Sequence, residues 1–208
     1  CDRRHGAWVE VEALVGNAVA SCNLTVVVGQ VRALSVAVVP ATASAAPGEK
    51  AVFGIDLQNT GNDRDVVRLG GLGPPPGWSL SLRLTDGTLI SGEWNLSLRP
   101  GASSKVIAWL AVPADAIFGE YHAAGEFLDG AETSYRFEMA VSVSQFFGVK
   151  LSSDMESLSG EPGETLRFPL ELRNTGNGKD TFLLKATPGA GGWADPFFLD
   201  RNGARIAK

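Results

Sequence analysis

The densest candidate chemistry in the chain lies in Gln58-Asn59-Thr60-Gly61-Asn62-Asp63-Arg64-Asp65. Side-chain oxygens from Asn62, Asp63 and Asp65 are the kind a hard cation such as calcium collects, and calcium takes about six to eight of them. The same run is also turn chemistry, because Gly and Asn tolerate positive φ and Asn side chains bond nearby backbone amides. The chain supplies its own comparison: the run returns as Arg173-Asn174-Thr175-Gly176-Asn177-Gly178-Lys179-Asp180. In the copy Asp63 becomes Gly178, a cation follows in both (Arg64, Lys179), and of the acids only Asp65 and its match Asp180 persist. That is too few oxygens for a calcium site. The run reads as a structural turn between two strands, with no metal ligand expected.

Catalytic chemistry is thinner still. His5 and His122 are the only histidines, and neither a Gly-x-Ser-x-Gly elbow nor a His-Glu-x-x-His helix is present. A glycosidase needs two carboxylates converging in a cleft, and acids such as Asp56 and Asp86 are dispersed along strand faces. No enzyme activity, catalytic residue or cofactor is expected within this chain. The five tryptophans raise sugar stacking, since a flat ring matches an apolar sugar face. Trp78 and Trp193 occupy one repeat position, and Trp94 alternates with Leu96 and Leu98, so these three read as core; Trp8 and Trp109 are left undetermined.

Two sequons, Asn23-Leu24-Thr25 and Asn95-Leu96-Ser97, are candidate N-glycosylation sites in an exported protein. Asn23 lies between Cys22 and Leu24, and Asn95 between Trp94 and Leu96; if those neighbours face inward, both asparagines face solvent. Cys22 falls at the repeat position of Phe137, which predicts a buried thiol acting as a small hydrophobe. A Cys1 to Cys22 disulfide stays open as an alternative. Two cysteines supply no zinc ligand set.

The elements that position these residues are short strands. The composition, 44% apolar and 20% charged with 25 Gly and 11 Pro, suits many strands separated by punctuated turns and disfavours a helical bundle. At a net charge of −5, with Lys and Arg scattered singly, there is no basic stripe for nucleic acid. No run approaches the roughly 18 to 20 apolar residues of a membrane span, and nothing at the start resembles a signal peptide. The chain opens on Cys-Asp-Arg-Arg-His and stops at Arg-Ile-Ala-Lys, which reads as a piece of something longer, with any export signal or anchor outside it.

The shift from Asn59 to Asn174 is 115 residues, and the same shift carries Pro47-Gly48-Glu49 onto Pro162-Gly163-Glu164 and Trp78 onto Trp193. It also carries Phe53, Ile55 and Leu57 onto Phe168, Leu170 and Leu172, and Val67 and Leu69 onto Phe182 and Leu184. Leu24, Val26 and Val28 map onto Met139, Val141 and Val143, while Gly6-Ala7-Trp8 resembles Gly119-Glu120-Tyr121 at a shift of 113. A repeat of this length is a domain array, since a solenoid unit spans about 20 to 50 residues. Residues 1–30 are therefore expected to be the last strands of one domain, 31–145 a complete domain, and 146–208 the first strands of a following one.

Within the complete domain, strands are expected near 31–39, 50–58, 65–69, 78–84, 93–98, 104–112, 119–127 and 134–143. Alternation is cleanest at Trp78, Leu80, Leu82, Leu84 and at Tyr135, Phe137, Met139, Val141, Val143, each placing one face on a core. Asp86-Gly87, Pro100-Gly101 and Asp129-Gly130 mark turns. Seven or eight short strands in about 115 residues describe an immunoglobulin-like β-sandwich, so the fold class is all-β with tandem immunoglobulin-like domains.

The order of motifs resembles a known family. Pro47 to Glu49, Asn59 to Asn62, Asp65, Pro75 to Trp78, Leu98 to Gly101, Val112, Pro113, Ala116 and Gly119 to Tyr121 resemble the Ig-like repeat associated with alpha-galactosidases (NPCBM-associated). That repeat occurs in tandem in archaeal and bacterial surface proteins and is close to the cell-adhesion-related CARDB domains. One departure is Ala190-Gly191-Gly192-Trp193, which lacks the prolines of the first copy. The resemblance implies a non-enzymatic extracellular spacer or adhesion module, cell-surface or secreted and anchored outside this chain. Its implied partner is a protein or a cell-surface glycan. The alternative is an accessory, carbohydrate-associated region of an exported hydrolase whose catalytic domain lies elsewhere. A third reading pairs residues 146–208 of one chain with 1–30 of another, since together they supply early and late strands of one sandwich.

Overall fold

The structure, a computed structural model, describes residues 5–189, 191 and 194–206. The chain divides into two compact units, Cys1–Ser144 and Gln145–Lys208.

The first unit opens with a long hairpin, β1 (His5–Val15) and β2 (Ala18–Val28), turned at Gly16-Asn17 with Gly16 at φ 60°. Two five-stranded sheets follow. One runs β3 (Leu34–Val39), β5 (Lys50–Asn59), β10 (Ser103–Ala111), β7 (Ser79–Leu84), β8 (Leu89–Ile90) in spatial order. The other runs β4 (Thr42–Ala45), β12 (Ser134–Val143), β11 (Gly119–Leu128), β6 (Asp65–Gly73), β9 (Asn95–Leu98). All pairings are antiparallel except β4 on β12, and the chain passes from β3 to β4 through a cis Val39-Pro40 bond. This is an all-β, immunoglobulin-like sandwich.

Period-two patterning decides which side chains meet between the sheets. Along β5, Ala51, Phe53, Ile55, Leu57 and Asn59 are buried while Lys50, Val52 and Gln58 are exposed. Opposite them Phe137, Met139, Val141 and Val143 of β12 are buried, with Phe127 of β11 stacked 5.3 Å from Phe137. Gly125, paired with Phe137 across the ladder, is the gap that ring needs; a Cβ there would collide with the Phe137 ring edge. Trp78 is buried 4.5 Å from Tyr121, and Trp94 is half-buried against Phe127 at 6.3 Å, a core-margin position and not a core one. The strands at Thr42–Ala45 and Leu89–Ile90 carry too little local signal to be foreseen. Thr-Ala-Ser-Ala has weak β preference, and only its ladder to β12 makes it a strand.

The hairpin corrects two expectations. Cross-strand partners share a face, so the pairs Val9 with Leu24, Val11 with Cys22 and Ala7 with Val26 define one apolar side. Glu10 with Asn23 and Trp8 with Thr25 lie on the other. Trp8 is thus not the match of Tyr121: Tyr121 pairs with Val141 and its counterpart Val26 pairs with Ala7, which moves the β1 shift from 113 to 114. Cys22 is on the apolar face as expected, but it is exposed, because among the described residues of the unit nothing covers either face of the hairpin. A Val11-Cys22 pair stands where the sandwich has Gly125-Phe137, so bulk has moved from one strand to the other.

The second unit contains β13 (Val149–Ser152) paired antiparallel with β14 (Glu171–Asn174), and a bridge between Leu199 and Arg205. Strand pairing at Phe168 and Leu170 and at Phe182 to Leu184 does not form; β14 begins at Glu171. Cys1 and Trp193 lie outside the described residues.

Candidate functional site: a loop that clasps the linker

The Asn-Thr-Gly-Asn loop spends its oxygens on N–H groups. Asn59, buried at the end of β5, donates Nδ2 to the carbonyls of Asp63 (2.8 Å) and Leu98 (3.0 Å) and accepts from the Gly61 amide through Oδ1 (2.9 Å). Gly61 has to be glycine, since a Cβ would meet the Val31 carbonyl. Asn62 reaches out to the segment 29–33 that joins β2 to β3. Its Oδ1 accepts from the Val31 amide (2.7 Å), its Nδ2 donates to the Gly29 carbonyl (2.8 Å), and its own amide donates to the Val31 carbonyl (3.0 Å). The Thr60 amide adds a bond to the Ala33 carbonyl (2.9 Å), and Asp63 accepts from Gln30 Nε2 (3.4 Å). The loop therefore grips the linker along its length by backbone-directed bonds. A cation would have to displace these N–H donors from Asn62 and Asp63 to reach their oxygens.

Asp65, buried at the start of β6, extends the grip to the turn of the neighbouring β11–β12 hairpin in the same sheet. Its Oδ1 accepts from the amides of Val66 (2.8 Å) and Gly130 (3.0 Å) and lies 3.4 Å from Arg32 Nη1, while Oδ2 is buried without a hydrogen-bond partner among the described residues. Neighbouring Asp129, also buried, accepts from the amides of Ala131 (2.8 Å) and Thr133 (2.9 Å) and from the Tyr135 hydroxyl (3.3 Å). Burial, the largest single influence, pushes the Asp129 carboxyl up, but the bonds from Thr133, Ala131 and Tyr135 together outweigh it and hold the group below its ordinary value. Tyr135 is raised, first by burial and then by the Asp129 charge.

The grip recurs in the second unit at the same shift. Asn174 Nδ2 donates to the Gly178 carbonyl (2.7 Å) and Oδ1 accepts from Gly176 (2.8 Å). Asn177 Oδ1 accepts from the Phe146 amide (2.9 Å), and the Thr175 amide donates to the Gly148 carbonyl (2.9 Å). Phe146 and Gly148 stand 115 residues beyond Val31 and Ala33. Asp180 keeps the bond to its following amide, Thr181 (2.7 Å), and Phe147 stands at the place of Arg32. Sequence reading isolated the loop and its two aspartates but missed Arg32, Gly130, Asp129 and Tyr135 as a network. Asp129-Gly130 registered only as a turn, and nothing local ties it to Asp65, which lies 65 residues from Gly130.

The remaining candidates stay apart. His122 Nε2 lies 3.4 Å from Glu120 Oε1, both exposed, beside a shallow hollow lined by Thr42, Ser44 and Ser142. Asp56 faces Lys105 at 3.5 Å, and Asp86 sits in the β7–β8 turn, where the backbone and side-chain bonds of Thr88 hold its carboxyl low. Trp109 is half-buried on the outer face of the first sheet, with Arg83 Cζ 4.4 Å and Lys50 Nζ 5.0 Å from its ring centroid. Cation stacking thus accounts for that ring. Asn95 is exposed at the start of β9, its Nδ2 donating to the Glu93 carbonyl (2.8 Å), and Asn23 is exposed on the polar face of the hairpin. Among the described residues no helix is long and apolar enough to cross a membrane.

No protein-family profile and no curated protein matches the chain. Solved structures do. A family 123 glycoside hydrolase from Clostridium perfringens aligns at 15% identity over 50% of this chain and 22% of its own length, TM-score 0.36. The ASH/PapD-like domain 7 of human CEP192 aligns at 17% identity over 52% of this chain and 84% of that domain, TM-score 0.32. The class 5 fimbriae chaperone CfaA aligns at 10% identity over 69% and 68%, TM-score 0.29. The chain spans about a fifth of the hydrolase it resembles, and likenesses of this strength carry no functional argument.

Proposed function

We propose that the chain is a non-catalytic segment of an immunoglobulin-like array, exported and serving as a spacer or adhesion module at a cell surface, of the NPCBM-associated or CARDB-like kind. The observation that carries this is the recurrence of the linker clasp: Asn62 on Val31 and Asn177 on Phe146 tie down the segment entering each module by the same bonds. A motif that ties each module's entering segment to that module's own loop is what a repeated structural unit uses, and it leaves the loop's side chains engaged with backbone groups. In this reading residues 1–30 are the closing strands of a preceding module and 146–208 the opening of a following one. The partner is a protein or a surface glycan, and Asn23 and Asn95 are glycan acceptors on exposed strand faces.

The test is made in the source organism. Intact cells treated with a membrane-impermeant amine reagent are expected to yield labelled protein, and the native mass is expected to exceed that of the bare chain by glycan at Asn23 or Asn95. Recovery of the protein only in the soluble interior, unlabelled, would overturn the surface reading.

A further inference from the structure

The outer face of the first sheet gathers positive charge around one ring. On the middle strand β10, Trp109 pairs with Val52 of β5 on one side and Ser81 of β7 on the other, so its ring stands in the centre of the sheet. Lys50 Nζ and Arg83 Cζ lie 5.0 and 4.4 Å from the ring centroid, and Arg83 Nη1 donates to the Gly87 carbonyl at 2.9 Å. The ring thus fixes two cations at one place. No carboxylate among the described residues pairs with either: Asp56 faces Lys105, and Asp86 accepts from the Thr88 amide. Along the strands of this sheet the charges are Lys50, Arg83 and Lys105 against Asp56, a positive face on a chain of net charge −5. The repeat keeps Pro162-Gly163-Glu164 but has Thr165 where Lys50 stands, so the turn itself does not require the cation. Two like charges held together repel, and an anion that reaches both relieves the repulsion.

We propose that this face binds an acidic glycan, whose sugar carboxylates meet Lys50 and Arg83 while the apolar surface around the ring takes the C–H face of the adjoining sugar. The inference rests on the surface-module reading above and gives its glycan partner a place and a charge. Charge complementarity selects the anion, since an ammonium and a guanidinium both form charge-assisted hydrogen bonds with carboxylates. Topology selects a glycan over an acidic peptide. Peptides recognised by a sheet add to a free strand edge or fill a groove. Trp109 offers neither, because β10 is hydrogen-bonded on both sides, to β5 and to β7. What it offers is an open platform: Val52 is 50% exposed, Trp109 and Ile107 are half-buried, and Gly54, opposite Ile107, adds no side chain to the floor. A flat ring with apolar neighbours matches the apolar face of a sugar. The contact is exposed and electrostatic, so it weakens as salt rises.

Titration calorimetry of the full chain tests this with three probes: polygalacturonate, uncharged dextran and poly-glutamate. The wild type is expected to bind polygalacturonate, to ignore dextran, and to bind poly-glutamate at least about tenfold more weakly per carboxylate, since the peptide lacks the sugar face. Lys50→Glu is expected to weaken polygalacturonate binding by about tenfold or more, the effect of one lost charge-assisted contact. Arg136→Glu makes the same change of charge at an exposed position on the outer face of the second sheet, and it is expected to leave binding nearly unchanged. Trp109→Leu removes the ring that places both cations and is expected to match Lys50→Glu. Its melting temperature checks the fold, and Lys50, being exposed, keeps the test intact should that variant unfold. A flat wild-type titration with polygalacturonate overturns the inference, and so does an equal loss in Arg136→Glu, which marks diffuse charge attraction. Poly-glutamate bound as tightly as polygalacturonate overturns it in favour of an acidic peptide. Cells whose protein is surface-labelled but ignores polygalacturonate leave the surface reading standing and remove only this site.

Discussion

Replacing Asn59 by alanine tests the claim that the loop is held by its buried asparagine. The substitution removes two donated bonds and one accepted bond, and it strands the carbonyl of Leu98, which Asn59 meets in a buried contact. At about 1 kcal/mol for each bond, with a further cost of about 1 kcal/mol or more for an acceptor left buried, the loss is about 3 to 4 kcal/mol. For a unit of this size that lowers the melting temperature by about 10 °C. The matched control is Asn174→Ala in the second unit. Asn174 makes the Gly178 and Gly176 bonds but is exposed, so water replaces them and the loss is about 1 kcal/mol or less. A urea titration followed by tryptophan fluorescence reads the first unit, whose range holds Trp8, Trp78, Trp94 and Trp109, and hydrogen exchange of the Thr175 and Gly176 amides reads the second. Equal losses for the two substitutions, or a loss under about 1 kcal/mol for Asn59→Ala, would refute the reasoning, since burial of the Leu98 carbonyl is what separates them.

Three further substitutions probe the core and the network beneath the loop. Gly125→Val forces the Phe137 ring aside and is expected to destabilise the sandwich by about 3 kcal/mol, as overpacking does. Adding Phe137→Cys, which copies the Val11-Cys22 pair of the hairpin, is expected to recover part of that loss, with a double-mutant coupling of about 2 kcal/mol; strict additivity would show that the two sites do not share space. Asp129 contributes to acid sensitivity. Its folded value is held below the unfolded one, so the ionised form stabilises the fold above about pH 4 and that contribution is lost as pH falls through the folded value. Asp129→Asn is accordingly expected to be about 1 kcal/mol less stable than wild type at neutral pH and to show a flatter dependence below about pH 4. A wild type and variant with parallel acid profiles would remove Asp129 from that role.

The sequence by itself determined the strands whose side chains alternate, because period-two burial is written residue by residue: Phe53, Ile55 and Leu57 on one side, Phe137, Met139 and Val141 on the other. It also determined that the Asn-Thr-Gly-Asn run is a turn, since Asn59 and Asn174 bond to amides only two residues away. Tertiary structure alone decided what the turn holds. The bonds from Asn62 to Gly29 and Val31, and from Asp65 to Arg32 and Gly130, join residues 31 to 65 positions apart, and no local pattern encodes such a meeting. It also decided the shift in β1, where one residue of register moves Trp8 from the apolar face to the polar one. Cys22 matches Phe137 in position and lies on the matching face of its hairpin, but the covering sheet is not encoded in the strand: burial is a property of the pair of surfaces and not of either one.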